Sequence, residues 1–179
     1  MLLQFSVTNH RSIKNTAVIS MKAAADKSMK ECLITPDGKK KIVPVMAIYG
    51  ANAAGKSNVI HALLLMREMV CGNYAKPLKG EELPYEPFAF VDEQIEPTAL
   101  EVIYYYEGIK YAYGFSFNNE RIISEYLYHW PNGREALIFN REKDQYEFRE
   151  SVQEQLTLAG RTSENRLYLT SSNEWNCVQ

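Results

Sequence analysis

The sequence predicts an α/β chain with an α+β tendency. A buried strand, a glycine-bearing loop and a helix form one unit, and an antiparallel meander follows it. Three observations predict this. Residues 42–49 are a nearly continuous apolar run, as in a strand buried on both faces. Residues 56–70 repeat apolar side chains at helical spacing, with Val59, Ile60, Leu63, Leu64, Met66 and Val70 on a wide face and Gly72 beyond the end. Residues 99–149 alternate polar and apolar positions between short turns.

The elements follow in chain order. Residues 2–8 read as a strand with Leu3, Phe5 and Val7 on one face, and residues 17–21 as its hairpin partner. Residues 23–40 are polar and irregular, with a turn at Pro36-Asp37-Gly38. Pro44 fits the start of the apolar run at 42–49, where a missing N–H is tolerated. Residues 72–98 carry Pro77, Pro84, Pro87 and Pro97, which predicts a long connector. Five strands follow, over 99–106, 110–117, 121–130, 135–141 and 145–149. Turns at Glu107-Gly108, Asn118-Asn119, Pro131-Asn132-Gly133 and Lys143-Asp144 make them antiparallel. The tail, 151–179, reads as a short helix, a loop and a second short element around Leu167, Tyr168 and Leu169. The expected organisation is a nucleotide-type unit over 1–75, a connector over 76–98, the meander over 99–150 and the tail over 151–179.

Composition excludes several classes. The chain has 179 residues, 46% hydrophobic and 23% charged, close to an ordinary globular domain and far from a disordered or collagen-like one. No apolar run reaches the roughly 18 residues that span a bilayer, and the N-terminus has no secretory-signal pattern. Cys32, Cys71 and Cys177 are widely spaced and odd in number, which suits neither a disulfide framework nor a metal site. The expectation is a cytoplasmic protein with free thiols and no membrane partner. The net charge of −2 hides an asymmetry: residues 1–43 carry eight Lys/Arg against three Asp/Glu, and residues 44–179 carry twelve against nineteen. A basic segment ahead of residues 50–57 suits attraction of a nucleotide or nucleic acid; the alternative, which the Pro36-Asp37-Gly38 turn favours, is a solvated loop at Lys39, Lys40 and Lys41. The acidic remainder argues against a broad nucleic-acid footprint. His10, His61 and His129 show no metal-ligand spacing. Eight of the twelve tyrosines fall between residues 104 and 146, which suits sheet packing better than a base-stacking platform.

Residues 50–57 read Gly-Ala-Asn-Ala-Ala-Gly-Lys-Ser and fit the phosphate-loop pattern G-x-x-x-x-G-K-[ST]. Each part has a task. The glycines let successive backbone N–H groups turn toward phosphate oxygens. The helix that starts here adds its dipole and free N–H groups. Lys56 reaches the β- and γ-phosphates, and the Ser57 hydroxyl suits Mg²⁺, which prefers oxygen ligands. ATP and Mg²⁺ are therefore the expected cofactors. Neither Asp-x-x-Gly nor Asn-Lys-x-Asp occurs, which disfavours a small GTPase, and an antiparallel meander after the loop disfavours a nucleotide kinase.

Two stretches resemble the P-loop NTPase heads of the SMC, RecF and OLD kind, ABC-type in architecture, and the bacterial AAA-type ATPases related to them. Asn9-His10-Arg11-Ser12-Ile13 is similar to their N-F-R-S-F opening, with His10 in the place of the usual aromatic. Residues 50–58 are similar to G-x-N-G-x-G-K-S-N, with Ala53 in the place of the commoner glycine. The resemblance implies that Gly50, Asn52, Ala53, Ala54, Gly55, Lys56, Ser57 and Asn58 line the nucleotide phosphates, and that Arg11 lies near them. It implies Mg²⁺ at Ser57 and a Mg²⁺- or water-positioning residue at the start of the first strand after the connector. No Gln stands there; Glu101 is the nearest candidate, with Gln94 upstream. An outward-facing strand residue is the alternative for Glu101, as a surface arginine in a hairpin turn is for Arg11.

The same resemblance implies an apolar strand ending Asp-Glu and a Ser-x-Gly signature loop. Neither occurs; Asp92-Glu93 lies in the connector after only Phe90-Val91. The sequence stops about where the helical insertion before them is expected. The first reading is thus an ATP-binding N-terminal lobe of a longer ATPase in DNA processing or anti-phage defence, incomplete for hydrolysis alone. Its partners are ATP, a second head in a homodimer, and DNA. The alternative is a non-enzymatic dimerisation or DNA-interaction module on the same fold.

Overall fold

The computed structural model describes residues 1–25, 30–90, 96–150 and 153–174. The fold is mixed α/β around one seven-stranded antiparallel sheet. Its strands are β1 (Leu2–Thr8), β2 (Ala17–Ser20), β3 (Thr98–Tyr106), β4 (Ile109–Phe117), β5 (Ile122–Trp130), β6 (Ala136–Glu142) and β7 (Gln145–Phe148). The helices are α1 (Lys56–Cys71), α2 (Gln153–Ala159) and α3 (Tyr168–Glu174). The strand order is β2-β1-β3-β4-β5-β6-β7.

The N-terminal hairpin and the meander therefore share a sheet. β1 pairs antiparallel with β3, setting Phe5 opposite Val102 and Val7 opposite Leu100. Alternation along each strand then sends Phe5, Val7, Leu100, Tyr113, Phe115, Leu127 and Phe139 to one face. That face is the core, covered by Ala62, Met66 and Met69 of α1, Leu158 of α2 and Tyr168 of α3. The other face is polar: Ser6, Glu101, Ser116, Ser124 and Tyr126 line it together. Gly114 is required here, because a Cβ would stand 2.5 Å from the Tyr126 ring.

The tail is bound to the sheet by a buried ionic cluster. Glu125 and Arg141 are both 0% exposed, opposite each other on β5 and β6. Glu125 accepts hydrogen bonds from Tyr113 Oη (3.0 Å) and from the first two backbone N–H groups of α3, Tyr168 (2.6 Å) and Leu169 (2.9 Å). Arg141 Nη1 lies 3.7 Å from the carboxylate and donates to the Arg166 carbonyl at 2.6 Å, while Nε donates to Lys143 O at 2.7 Å. Burial pushes the Glu125 carboxyl up, against the opposing pull of the two N–H groups and Arg141.

One expectation fails. Residues 43–50 form no strand. Ile42 alone is buried, bridged to Lys22 and Ile34, and beyond it the run is open: Val45 is 77% exposed and Tyr49 90%. Among the described residues no strand pairs with this segment, so the apolar run has no sheet to enter. α1 shows the same asymmetry. Its expected apolar face is wider than the stripe it buries, and Ile60 and Leu64, one turn apart, remain exposed.

Candidate functional site

The loop over 50–57 lies between this open segment and α1. Its curl rests on two left-handed residues, Ala53 (φ 62°) and Gly55 (φ 81°), the second serving as the N-cap of α1. Only glycine adopts that conformation freely, so Ala53 carries a steric cost that Gly55 does not. The Lys56 side chain folds back over the loop, donating to the carbonyls of Gly50 (2.8 Å) and Ala51 (2.6 Å). Ala54 N–H donates to Ala51 O, and Asn58 N–H to Gly55 O. The N–H groups of Lys56 and Ser57 head α1, where no intrahelical carbonyl exists for them. An aligned helix dipole and free donors favour negative charge at this end.

The N-terminal turn is braced against the loop. Asn58 Nδ2 donates to Ser12 Oγ at 2.7 Å, and the same oxygen stands 3.0 Å from where a Cβ on Gly55 would sit. Ser12 thus fixes how the turn meets the loop, a role that sequence reading missed. Its signal was its place in the Asn9-His10-Arg11-Ser12-Ile13 stretch. Arg11, itself at φ 51°, stands one residue from that contact. Its guanidinium pairs with both Glu86 oxygens, Nε–Oε2 at 2.6 Å and Nη2–Oε1 at 3.2 Å. The pair raises Arg11 and holds the Glu86 carboxyl below its ordinary value, with the hydrogen bond as the main cause of each. The connector thereby closes over the turn: Arg11 N–H donates to Glu86 O, and Phe88 N–H donates to Asn9 Oδ1.

His10 beside Arg11 is only 2% exposed, and neither ring nitrogen has a partner. Burial, and then the neighbouring Arg11, push its pKa down. It fills the space of an aromatic side chain while leaving two polar atoms unsatisfied.

Glu101 stands apart from this cluster. It lies on the polar face of the sheet, on the opposite side from Leu100 in the core beneath α1. Ser6 Oγ donates to it at 3.2 Å and Tyr126 Oη at 2.6 Å. Gln94 and the Asp92-Glu93 pair lie outside the described residues, as does Cys177. The structure thus brings Ser12 to Gly55 and Asn58, pairs the neighbouring Arg11 with Glu86, and leaves Glu101 on the other side of the sheet. Among the described residues no group of three or more His, Cys, Asp or Glu gathers as a metal site. Among them, too, no helix is long and apolar enough to cross a membrane.

A family model described as "AAA domain, putative AbiEii toxin, Type IV TA system" matches residues 45–177. That span opens inside the exposed apolar run and includes the loop, the meander and the tail. No curated protein matches the chain significantly.

Proposed function

The chain belongs to that AAA-domain family, and from this premise we propose that it is the nucleotide-binding lobe of an ATPase in a toxin–antitoxin or anti-phage defence system. The carrying observation is the curled loop over 50–57 at the head of α1, with Lys56 above it. ATP phosphates enter among the N–H groups of residues 52–57 and draw the Lys56 ammonium away from the Gly50 and Ala51 carbonyls. The donor set fits: free helix-head N–H groups for the phosphates, and the exposed Ser57 hydroxyl as an oxygen ligand for Mg²⁺. Bound Mg²⁺ would neutralise charge on the β- and γ-phosphates. Asn58, tied to Ser12, holds the N-terminal turn beside that site, and Arg11 lies within reach once its exposed pair with Glu86 opens.

Hydrolysis needs a carboxylate that polarises water. Glu101, bonded to Ser6 and Tyr126 on the far face of the sheet, is better suited to holding that face together. We therefore assign the catalytic carboxylate to a further segment or partner head. The exposure of Val45, Met46 and Ile48 before the loop, and of Ile60 and Leu64 on α1, supports this, because each leaves apolar surface for a further layer to cover. A second head across the nucleotide, in a homodimer, is the corresponding assembly.

Titration of a fluorescent ATP analogue with Mg²⁺ tests the reading. The wild-type chain binds, and Lys56→Ala weakens binding at least tenfold, because a charge-assisted phosphate contact is lost. Equal affinities would remove the nucleotide assignment. Robust Mg²⁺-dependent turnover by this chain, abolished by Lys56→Ala, would instead refute the assignment of the carboxylate elsewhere.

A further inference from the structure

The phosphate loop lies at the end of the sheet where β1 finishes. A second cationic region lies at the other end, beyond the β3–β4 and β5–β6 turns. β3 spans nine residues, so roughly 25–30 Å of sheet separates the two. Here the loop after Pro36 stands over the turns. Asp37, Lys39, Lys40, Tyr105, Lys110 and Trp130 line a hollow of about 680 Å³. A second hollow of about 500 Å³ adjoins it through Lys39 and Lys40 and adds Lys22, Lys30 and Lys41.

Among the described residues, six lysines and one carboxylate line the two hollows. That carboxylate is already engaged. Asp37 Oδ1 accepts the backbone N–H groups of Lys39 (2.9 Å) and Lys40 (2.7 Å), and Oδ2 accepts the hydroxyl of buried Tyr105 (2.9 Å). These bonds, led by the one from Lys40, hold the Asp37 carboxyl below its ordinary value. They also anchor the lysine loop to the sheet, so the cations are held together rather than loosely spread. Among the described residues none of the six lysines forms an ion pair. A chain of net charge −2 thus gathers six lysines at one place, with Glu135 and Glu101 acting on Lys110 only at a distance.

An aromatic face opens into the same space. Lys110 and Trp130 are cross-strand partners, and the Lys110 ammonium lies 3.3 Å from the Trp130 ring centroid. Burial, and then Lys40 nearby, push the Lys110 pKa down, so an incoming anion stabilises its charge. A base that takes the ring face frees that ammonium for the adjoining phosphate. Lysines that track a backbone beside an aromatic that stacks a base are the two elements of single-strand recognition. The two hollows run on from one another, which suits a linear polyanion better than a compact one.

We propose that these adjoining hollows bind single-stranded nucleic acid, its backbone along Lys39, Lys40 and Lys41 and one base stacked on Trp130. The site is separate from the phosphate loop and stands whether or not the loop binds ATP.

The test is fluorescence anisotropy on the whole chain with a labelled dT20, a labelled rU20, the matching 20-base-pair duplex and free thymidine monophosphate as competitor. The expected result is binding of a single strand, with a log–log salt slope of about −3.5 to −4.2 for five or six neutralised phosphates. The dT20 and rU20 arms identify which sugar is preferred. Lys39→Glu with Lys40→Glu, both exposed and tolerant of change, lowers affinity at least tenfold. Trp130→Ala lowers it about fivefold or more, and Trp130→Phe restores most of that loss, which separates stacking from misfolding. Lys56→Ala leaves it unchanged, which separates this site from nucleotide binding at the loop. Any of four results overturns the proposal: no single-strand binding at low salt, indifference to the double reversal, indifference to Trp130→Ala, or a monophosphate that binds as tightly as the 20-mer.

Discussion

The meander and the phosphate-loop segment spend their apolar residues differently. In β3 to β7 nearly every large side chain on the core face has a neighbour, and even the charged pair Glu125–Arg141 is enclosed and bonded. Over residues 43–57 the chain has a comparable apolar content, yet Val45, Met46, Ile48 and Tyr49 face outward and the loop closes on its own carbonyls. The difference teaches that this sheet encloses its own apolar side chains, while the segment before the loop leaves its apolar side chains exposed. An antiparallel platform carries the proposed nucleotide loop, whose surroundings remain open.

Four substitutions break or sharpen that contrast. The largest effect belongs to the enclosed side. Glu125→Ala leaves Arg141 as an uncompensated buried charge and frees two N–H groups at the head of α3. It is expected to cost about 3–5 kcal/mol in chemical denaturation, with Glu125→Gln milder. A loss under about 1 kcal/mol would mean that water reaches the cluster and that the meander side is not closed.

His10→Phe acts at the seam between the two regions. It removes two unsatisfied buried nitrogens and keeps an aromatic ring, so stability rises by about 1–2 kcal/mol at neutral pH. The pH dependence follows from the direction of the shift. The folded pKa of His10 lies below the ordinary 6.5, so the unfolded chain takes up this proton first. The wild type therefore loses stability as pH falls through about 6.5, until the folded ring also titrates. His10→Phe flattens that slope in denaturation series between pH 7.5 and 5. His129, shifted down by burial as well, leaves a residual dependence. An unchanged slope would assign the effect elsewhere.

Smaller effects belong to the open side. Arg11→Ala removes an exposed ion pair and is expected to change stability by less than about 1 kcal/mol. Its readout is nucleotide affinity, which falls if Arg11 leaves Glu86 for the phosphates. Ala53→Gly relieves a left-handed alanine but loosens the unfolded chain, so the net gain stays below about 1 kcal/mol by thermal denaturation. A larger gain would show that the curl of the loop stores more strain than a single φ of 62° suggests.

Much of this was legible in the residues. The five meander strands and α1 stand within a residue or two of their expected bounds, because period-two alternation, two-residue turns and the glycines around α1 are local signals. Pairing of β1 with β3 was not legible, since about ninety residues separate the partners and nothing local encodes it. Residues 42–49 misled for a related reason: an apolar run marks a buried strand only if a sheet exists to accept it. Glu125 and Arg141 look like solvent-facing strand residues. Their signal was parity, because Glu125 alternates in phase with Leu127, and Arg141 with Phe139. The loop itself was the clearest feature of the sequence; Ser12 stood inside the opening stretch over 9–13 without an assigned role, and Glu86, which braces the turn beside it, carries no motif.

The most direct test of the account is residue-resolved amide hydrogen exchange with and without Mg²⁺ and ATP. Protection is expected to rise across residues 50–60, where the loop and the head of α1 gain phosphate partners, and to stay unchanged across β4 and β5. Exchange over 50–60 that is unaffected by nucleotide, or protection that rises in the meander instead, would contradict the assignment of the loop as the nucleotide site.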